Sequence, residues 1–543
     1  MSSNRIARRR FLGAAAKSFA ALGVGTSLFD FAVNELFGKA LSMSLPSAMA
    51  AGAMDAEPIY VHVSLFGGPP RWYFDLPLNP TGDSAAFLAG GFGNWINVSS
   101  GKAVSTHETR RIVVGGKAVH LPPIWTMNVG GHKLSDLLEN TAFIRGVDAE
   151  INSHGLSRAR QVSPIINGLS LSGLTADAST KPMAGIIAGE AGNAFKSAKA
   201  LAAVRFPGGA NPLQTILTPF KPFSAAAKFQ SAEWKTLKAQ ALSRFDDYAS
   251  QNGYARTALK NAYDNANTMI DDKVYGLSDG WNDIVNRYKA IVASALSVDE
   301  IKVLFPQAIK ADGSAHFRIV PDVHSSDADV RDGLAGATAA GPMFANLAEQ
   351  FAVAEALILN DITSTITIDA VGLSNLKVNG SAYAMPSDQH NVGRITSTVF
   401  TTAFYRAIAG CIAELSSALR RTGRFERSVI HVASEFNRSP RADGSGSDHG
   451  VNGSNSTIIS GAVKGCSVIG NIKRDSGIAG YPGSWGVSEK FELGGFNRPI
   501  QVNDVALTIA GILGVLPQGL VTSGRSLINP VTGLPAKAEA KNV

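Results

Sequence analysis

A short, mostly apolar run that stops at polar and charged residues constrains the fold of this chain most. Val429–Ala433 has the length and composition of a buried strand, as in a parallel sheet. The run ends at Ser434-Glu435, and a loop of Gly, Ser, Asp and Arg then leads to Asp448-His449-Gly450. Ligands of open α/β sheets bind beyond the carboxyl ends of the strands. The sequence therefore predicts a functional site around Glu435 and the Asp448-His449 pair.

The rest of the chain alternates between strand-like and helix-like segments. Short β-rich or apolar runs predict strands at 59–66, 142–146, 365–372, 457–460 and 467–470. The apolar spacing of residues 396–421 predicts a long helix that ends at Gly423, and residues 502–515 predict a final apolar helix. This alternation predicts an α/β fold with a mostly parallel sheet between helices.

The length of 543 residues is compatible with one large α/β domain with insertions or with two domains. We predict a single α/β domain over residues 54–543. Within it, residues 222–296 have the pattern of long amphipathic helices rich in Ala, Lys and Asp. This segment is predicted to be a helical insertion or lid.

Residues 1–50 have the features of an export signal. The basic segment Arg8-Arg9-Arg10 precedes an Ala/Gly/Leu-rich stretch, and Ala48-Met49-Ala50 is a small-residue cleavage site. The twin arginine followed by x-Phe11-Leu12 resembles the Tat signature, which indicates export of a folded protein by the Tat machinery. We therefore predict a periplasmic or extracellular protein. A membrane-anchored protein is the alternative, if the signal is not cleaved.

The positive charge of the chain is concentrated in that signal. Its six basic and two acidic residues account for the difference between the formal net charge of +7 and a value of +3 for the remainder. So small a positive charge gives no reason to expect a nucleic-acid partner. Cys411 and Cys466 are the only cysteines, too few for a thiolate zinc site. Buried free thiols are predicted, with a disulfide as the alternative.

Acidic and histidine side chains recur in the loops that follow predicted strands. Asp388-x-His390 lies in a loop before the long helix, and Glu435 and Asp448-His449 follow Val429–Ala433. Carboxylate oxygen and imidazole nitrogen are both ligands of divalent ions such as Zn²⁺, and oxygen also suits Ca²⁺ or Mg²⁺. These loops together favour a shared divalent cation.

Each group also has a simpler explanation. Asp388 could cap the helix that follows it, and Asp448 could form an Asx-type turn in its glycine-rich loop. Glu435, which would be costly to bury alone, could form an ion pair with Arg438 or Arg441.

Ser153-His154 is a candidate catalytic pair in the loop after the predicted strand 142–146. A serine hydroxyl at a helix N-terminus can be an activated nucleophile, aided by the helix dipole and by metal coordination. Capping of the helix explains the serine equally well. The chain has no P-loop or H-E-x-x-H motif.

Six segments together resemble a known family. They are 61–68 with its Gly-Gly, Asn152-Ser-His154, Asp388-Gln-His390, Ser434-Glu-Phe-Asn-Arg438, Ser447-Asp-His-Gly450 and the helix 504–515. The chain resembles the Tat-exported domain-of-unknown-function family 1501, which is related to sulfatases within the alkaline-phosphatase-like superfamily. The resemblance implies a parallel sheet between helices with a metal site at the strand ends. It also implies that Asp388, His390 and His449 hold one divalent ion and that Glu435 faces a second.

The chain departs from the family pattern at two places. Pro69-Pro70-Arg71 occupies the position where superfamily hydrolases place an acidic metal ligand, and Asp75 comes several residues later. Asn437 stands where the family has a glycine. These departures leave open whether the site is a complete two-metal site or only part of one.

Two functions follow from these features. The first is a metal-dependent hydrolase of phosphate or sulfate esters, in which the metal polarises the ester and activates Ser153 or water. Its partner would be a small anionic ester. The second is a non-catalytic envelope scaffold or binding protein with a degenerate metal site, whose partner would be an envelope component.

Overall fold

The structure is a computed structural model that describes less than half of the chain. The described stretches are 57–79, 110–148, 282–295, 345–360, 364–370, 394–440, 447–449, 453–475, 484–493, 495–515 and 524–536. Shorter described pieces are 96–97, 103–104, 204–206, 376–378 and 381–383, with the single residues 154, 157, 280 and 390. The predicted signal over residues 1–50 lies outside them.

An eight-stranded sheet forms the centre of the described structure. Its strands in chain order are β1 (Ile59–Leu65), β2 (Thr141–Asp148), β3 (Val204–Phe206), β4 (Thr365–Ala370), β5 (Ser428–Ser434), β6 (Ser454–Ile459), β7 (Ser467–Ile469) and β8 (Ile500–Gln501). Their spatial order is β7-β2-β6-β5-β1-β4-β3, and β8 pairs with the end of β2. The strand β5 predicted from residues 429–433 therefore lies near the middle, beside β1.

The sheet is mixed, which confirms the predicted α/β class, and five of its seven strand pairings are parallel. β1 runs parallel to β4 and β5, and β2 runs parallel to β7 and β8. β6 is antiparallel to both β5 and β2. A parallel neighbour needs a long crossover, usually a helix, whereas the described part of the link from β5 to β6 is a β-hairpin. The chain therefore returns beside β5 in the opposite direction.

Helices cover both faces of this sheet. The α-helices are α1 (Ala345–Leu359), α2 (Arg394–Arg421) and α3 (Val502–Ile512), and residues 282–295 are also helical. Alternate residues of a strand point to opposite faces. Ile430 and Val432 of β5 accordingly belong to a core shared with α1 and α2, whereas Val429 belongs to a core shared with α3.

Short hairpins and 3₁₀-helices complete the described structure. The paired hairpin strands are Ile96–Asn97 with Ala103–Val104, Arg110–Val114 with Lys117–Leu121, Asn128–Val129 with His132–Lys133, Leu376–Val378 with Ser381–Tyr383, Arg438–Pro440 with Ser447–His449, Asn471–Asp475 with Ser484–Glu489, and Phe491–Leu493 with Phe496–Arg498. The 3₁₀-helices are Arg71–Tyr73, Pro123–Thr126, Leu134–Asn140 and Phe425–Arg427.

The end of the predicted helical insertion packs into the main core. Of residues 222–296, the structure describes 280 and 282–295. Tyr288 and Ile291 are buried in the same core as α1 and α2. Arg287 also forms ion pairs with Glu355 of α1 and Glu414 of α2. This last stretch of the segment is therefore part of the α/β core, while the predicted domain boundaries stay predictions.

A buried group of polar side chains lies within the sheet. Nδ1 of His431 on β5 is 3.1 Å from Nδ1 of His62 and 3.0 Å from the hydroxyl of Tyr60, both on β1. Nε2 of His431 is 2.5 Å from Oγ of Ser456 on β6. The group thus links three adjacent strands within the interior.

Two further findings concern the cysteines and membrane-spanning helices. Cys411 and Cys466 are both buried free thiols, as the sequence predicted. Within the described residues, no helix is long and apolar enough to cross a bilayer.

Candidate metal site at the strand ends

The candidate site lies just beyond the carboxyl ends of β1 and β5. β1 and β5 end side by side, with Leu65 opposite Ser434. The hairpin that follows β5 pairs Arg438–Pro440 with Ser447–His449, and Arg438 lies directly opposite His449. We call this pair of strands the site hairpin. It returns the chain to the strand ends and so brings His449 back to the loop that begins at Glu435.

Three imidazole rings converge at this edge of the sheet. Nε2 of His449 lies 2.9 Å from Nε2 of His390 and 3.0 Å from Nε2 of His154. The ligand atoms of the three histidines all lie within 4.8 Å of one another, and the three side chains are half-buried. We call these residues the histidine triad.

Hydrogen bonding alone accounts poorly for this convergence. A ring nitrogen carries either one proton or one lone pair, so it is suited to one hydrogen bond in the ring plane. Nε2 of His449 nevertheless has two other ring nitrogens within 3.0 Å. A cation would satisfy all three lone pairs at once. Two nitrogens bound tetrahedrally at about 2.1 Å from Zn²⁺ lie about 3.4 Å apart, so a small outward shift of the rings would admit the ion.

Glu435 fixes the orientation of one of these rings. Oε2 of Glu435 is 2.5 Å from Nδ1 of His154, and the Glu435 side chain is 1% exposed. With an ionised carboxylate, which only accepts hydrogen bonds, this contact places a proton on Nδ1. In the neutral ring Nε2 then carries the lone pair that a metal needs.

Phe436 supports two members of the histidine triad. Its ring centroid lies 4.0 Å from that of His449 and 4.9 Å from that of His154. On its other side, the ring fills the space next to Gly68, where an added Cβ would lie 2.5 Å from a ring carbon. Gly68 also has a φ of 58°, which favours glycine. The turn after β1, Phe436 and the histidines therefore form one packed unit.

The turn after β1 supplies no free acid for a second ion. Arg71 donates to both carboxylate oxygens of Asp75, with 2.6 Å from Nε to Oδ1. The hydroxyl of Thr457 donates to Oδ2 of Asp75 at 2.5 Å. Both side chains of the Arg71–Asp75 pair are fully buried. Asp75 is thus committed to a structural ion pair and does not replace the acid that the resemblance led us to expect after Gly67-Gly68.

The structure brings together some of the predicted site residues and differs on others. His390 and His449, predicted as ligands, meet at the site, and His154, predicted as catalytic, joins them as a third imidazole. Glu435, predicted as a ligand, lies behind His154. Ser153 and Asp388 lie outside the described residues, and so does the side chain of Asp448. The sequence did not predict that His154 joins His390 and His449, although its place shortly after strand β2 was a usable signal.

Comparison with known proteins gives one partial match. Residues 383–523 match a family described as a protein of unknown function (DUF1501). The matched segment contains His390, Glu435 and His449, while His154 precedes it. No curated protein and no solved structure matches the chain. The resemblance to the unknown-function family is therefore supported over this segment, and the relation to sulfatases stays a prediction.

Proposed function

We propose that this chain binds one divalent metal ion through Nε2 of His154, His390 and His449. The convergence of these three nitrogens carries the proposal. Three protein ligands leave a fourth position for water or substrate, which is the pattern of catalytic zinc sites. Zn²⁺ suits three neutral imidazoles better than Ca²⁺ or Mg²⁺, which prefer oxygen ligands.

The reaction that suits such a site best is hydrolysis of a phosphate or sulfate ester. A bound ion would polarise the ester oxygen and lower the pKa of a bound water. Two neighbouring residues hold the histidine rings in place. Glu435 orients the His154 ring, and Phe436 packs against His154 and His449. One ion rather than two is proposed, because Asp75 is occupied by Arg71 and Thr457.

The commitment of Asp75 to Arg71 and Thr457 also favours a second candidate function. A non-catalytic scaffold or binding protein would keep the fold and one structural metal while losing the acid after Gly67-Gly68. In that case the histidine triad would stabilise the site hairpin and its partner would be another envelope component. Metal stoichiometry and hydrolytic activity together separate the two functions.

The test uses purified chain with its metal retained. Elemental analysis should give one divalent ion per chain for the wild type, and His449→Ala and His390→Ala should lose it. His120→Ala, at a histidine on the separate hairpin strand Lys117–Leu121, is the matched control and should retain the ion. Hydrolysis of 4-nitrophenyl phosphate or 4-nitrophenyl sulfate that disappears with the ion would support the hydrolase. A metal-bound protein that cleaves neither ester would support the scaffold, and a wild type without metal would overturn both metal roles.

Export by the Tat machinery is also proposed, on the basis of Arg8-Arg9 and the segment that follows. Replacement of both arginines by lysine keeps the charge and removes the twin-arginine signature. We expect wild-type protein in the periplasm or outside the cell and the Arg8→Lys/Arg9→Lys variant inside it. Equal distribution of the two proteins after cell fractionation would contradict Tat export.

A further inference from the structure

We propose that Arg438 is a positioning residue that holds His449 at the site, an inference that rests on the proposed metal site. Arg438 is buried, with 1% of its surface exposed. Its guanidinium reaches two separate parts of the chain, the turn after β1 and the second strand of the site hairpin. It therefore joins the strand-end turn to the strand that carries His449.

The contacts to the turn after β1 are the shortest. Nε of Arg438 donates to the carbonyl oxygen of Gly68 at 2.8 Å, and NH2 donates to that of Gly67 at 2.8 Å. The φ angle is 84° at Gly67 and 58° at Gly68. The turn therefore presents these carbonyls in a conformation that residues other than glycine rarely adopt. The two glycines thus allow the turn to direct both carbonyl oxygens at Arg438.

The contacts to the hairpin strand complete the link. NH1 of Arg438 lies 3.3 Å from the carbonyl oxygen and 3.4 Å from Oγ of Ser447, two residues before His449. Arg438 is also the cross-strand partner of His449. Residues directly opposite on an antiparallel pair have neighbouring side chains on the same face. A shift of Arg438 would therefore carry His449 away from His154 and His390.

Arginine is suited to this task in a way that lysine is not. A guanidinium has five N–H donors in a fixed planar fork, so it can bind carbonyls of two elements at once. The ammonium group of a lysine is a compact point charge on a flexible stem, so it would contact either the turn or the hairpin. Arg438→Lys consequently keeps the charge and removes the simultaneous contacts.

Arg145 provides a matched control. It is also fully buried, and it also donates to backbone carbonyls of two separate segments, 3.0 Å to Gly470 and 2.6 Å to Pro77. Neither segment carries a member of the histidine triad. Arg145→Lys should lower stability for the same physical reason as Arg438→Lys, without acting on the metal site.

Metal affinity and the visible spectrum of the Co²⁺-loaded protein test the inference. We expect Arg438→Lys to lower metal affinity by about 10–100-fold, the range typical for residues that orient ligands, and to change the Co²⁺ absorption bands. Ser447→Ala, which removes Oγ and keeps the backbone carbonyl, is a milder variant that leaves the fold intact and should change affinity in the same direction. Arg145→Lys should keep the wild-type affinity and spectrum. Wild-type affinity and spectrum in both Arg438→Lys and Ser447→Ala would overturn the positioning role.

A metal-free measurement separates failure of this inference from failure of the proposed function. In the presence of chelator, reaction of His449 with diethyl pyrocarbonate reports how closely its ring is held against the other two histidines. Mass spectrometry should show faster modification of His449 in Arg438→Lys than in the wild type and in Arg145→Lys. If the wild type binds no metal but this difference appears, the metal function is wrong and the positioning role holds. Equal rates in all three proteins would overturn the positioning role.

Discussion

Nδ1 of His154 lies 2.5 Å from Oε2 of Glu435, although the two residues are 281 positions apart in the chain. Glu435 is fully buried directly after the central strand β5, whereas the His154 side chain is 30% exposed. A buried carboxylate is costly unless a donor or cation compensates it. The imidazole supplies the donor, and in return the carboxylate sets the ring so that Nε2 faces His449. Carboxylate, imidazole and proposed metal would then form one chain of interactions.

Replacement of Glu435 tests this relationship. Glu435→Ala removes the acceptor for Nδ1 of His154 and should lower metal affinity by about 10–100-fold, measured by competition with a chromophoric chelator. Glu435→Gln keeps an acceptor oxygen and should lie between the wild type and Glu435→Ala. Glu426→Ala is the control, because its side chain is 71% exposed and pairs with Lys464. Wild-type affinity in Glu435→Ala would argue against the orienting role.

The packing of Gly68 against Phe436 leads to a prediction on stability. Gly68 and Gly423 have similar positive φ values, 58° and 66°, so alanine should cost about 1–2 kcal/mol at either position. Only at Gly68 does the added Cβ meet the Phe436 ring, whereas nothing lies within 4 Å of it at Gly423. Gly68→Ala should therefore lose about 1–3 kcal/mol more free energy of unfolding than Gly423→Ala. Urea denaturation measures both, and equal losses would mean that the ring moves aside without cost.

Local pattern was enough to predict most of the described elements. The strand at 429–433 and the helix at 396–421 were predicted because each has an apolar pattern and a clear end, Ser434-Glu435 for one and Gly423 for the other. The structure gives Ser428–Ser434 and Arg394–Arg421. The direction of β6 was not predicted, because a run of six residues carries no information on which way it crosses the sheet.

The site could be predicted only in part, since its contacts join distant parts of the chain. Glu435 and His449 were placed at a strand end from the order of strand and loop. The contact between His154 and His449 spans 295 residues, and no local pattern encodes it. The structural role of Asp75 was not predicted either, because its partner Thr457 lies 382 residues away in the chain.

The burial of His431 in the sheet predicts a loss of stability in mild acid. Burial lowers the pKa of His431 well below its usual value, and His62 and Arg71 lower it further. In the unfolded chain the same group has a pKa of about 6.5. Below pH 6.5, His431 is therefore protonated in the unfolded chain but stays neutral in the folded chain until the pH reaches its lowered pKa. Stability therefore falls as pH decreases from about 6.5 towards the folded-state pKa, by up to about 1.4 kcal/mol per pH unit.

A pair of substitutions isolates the contribution of His431. His431→Gln removes the titrating ring, so the free energy of unfolding should be lower at pH 8 but should change less between pH 6.5 and pH 5. Tyr60→Phe removes the hydroxyl that contacts His431 and leaves the imidazole in place. Its pH dependence should follow the wild type. A wild-type slope in His431→Gln, measured by urea denaturation across this pH range, would contradict the assignment.

Arg287 joins the helical residues 282–295 to two buried carboxylates, and its removal should be costly. It pairs with Glu355 at 2.7 Å and also with Glu414. Loss of one partner of a buried pair typically costs about 3–5 kcal/mol, and we expect about 2 kcal/mol for Arg287→Met because 38% of the Arg287 side chain is exposed. Lys289→Met is the matched control on the same helix. Lys289 is 47% exposed and its pair with Glu349 is long, at 3.7 Å, so the change should stay within about 0.5 kcal/mol.

The same ion pairs determine how Glu414 responds to acid. Burial acts to raise the pKa of Glu414, but the hydrogen bond with His132 and the charge of Arg287 outweigh it and lower the pKa to about 2. The unfolded value is about 4.3, so the stabilisation is complete above that pH and is lost as pH falls towards 2. Arg287→Met should therefore weaken the dependence of unfolding free energy on pH between 4.5 and 3, and Glu414→Gln should weaken it further. An unchanged acid slope in Glu414→Gln would show that other carboxylates govern acid unfolding.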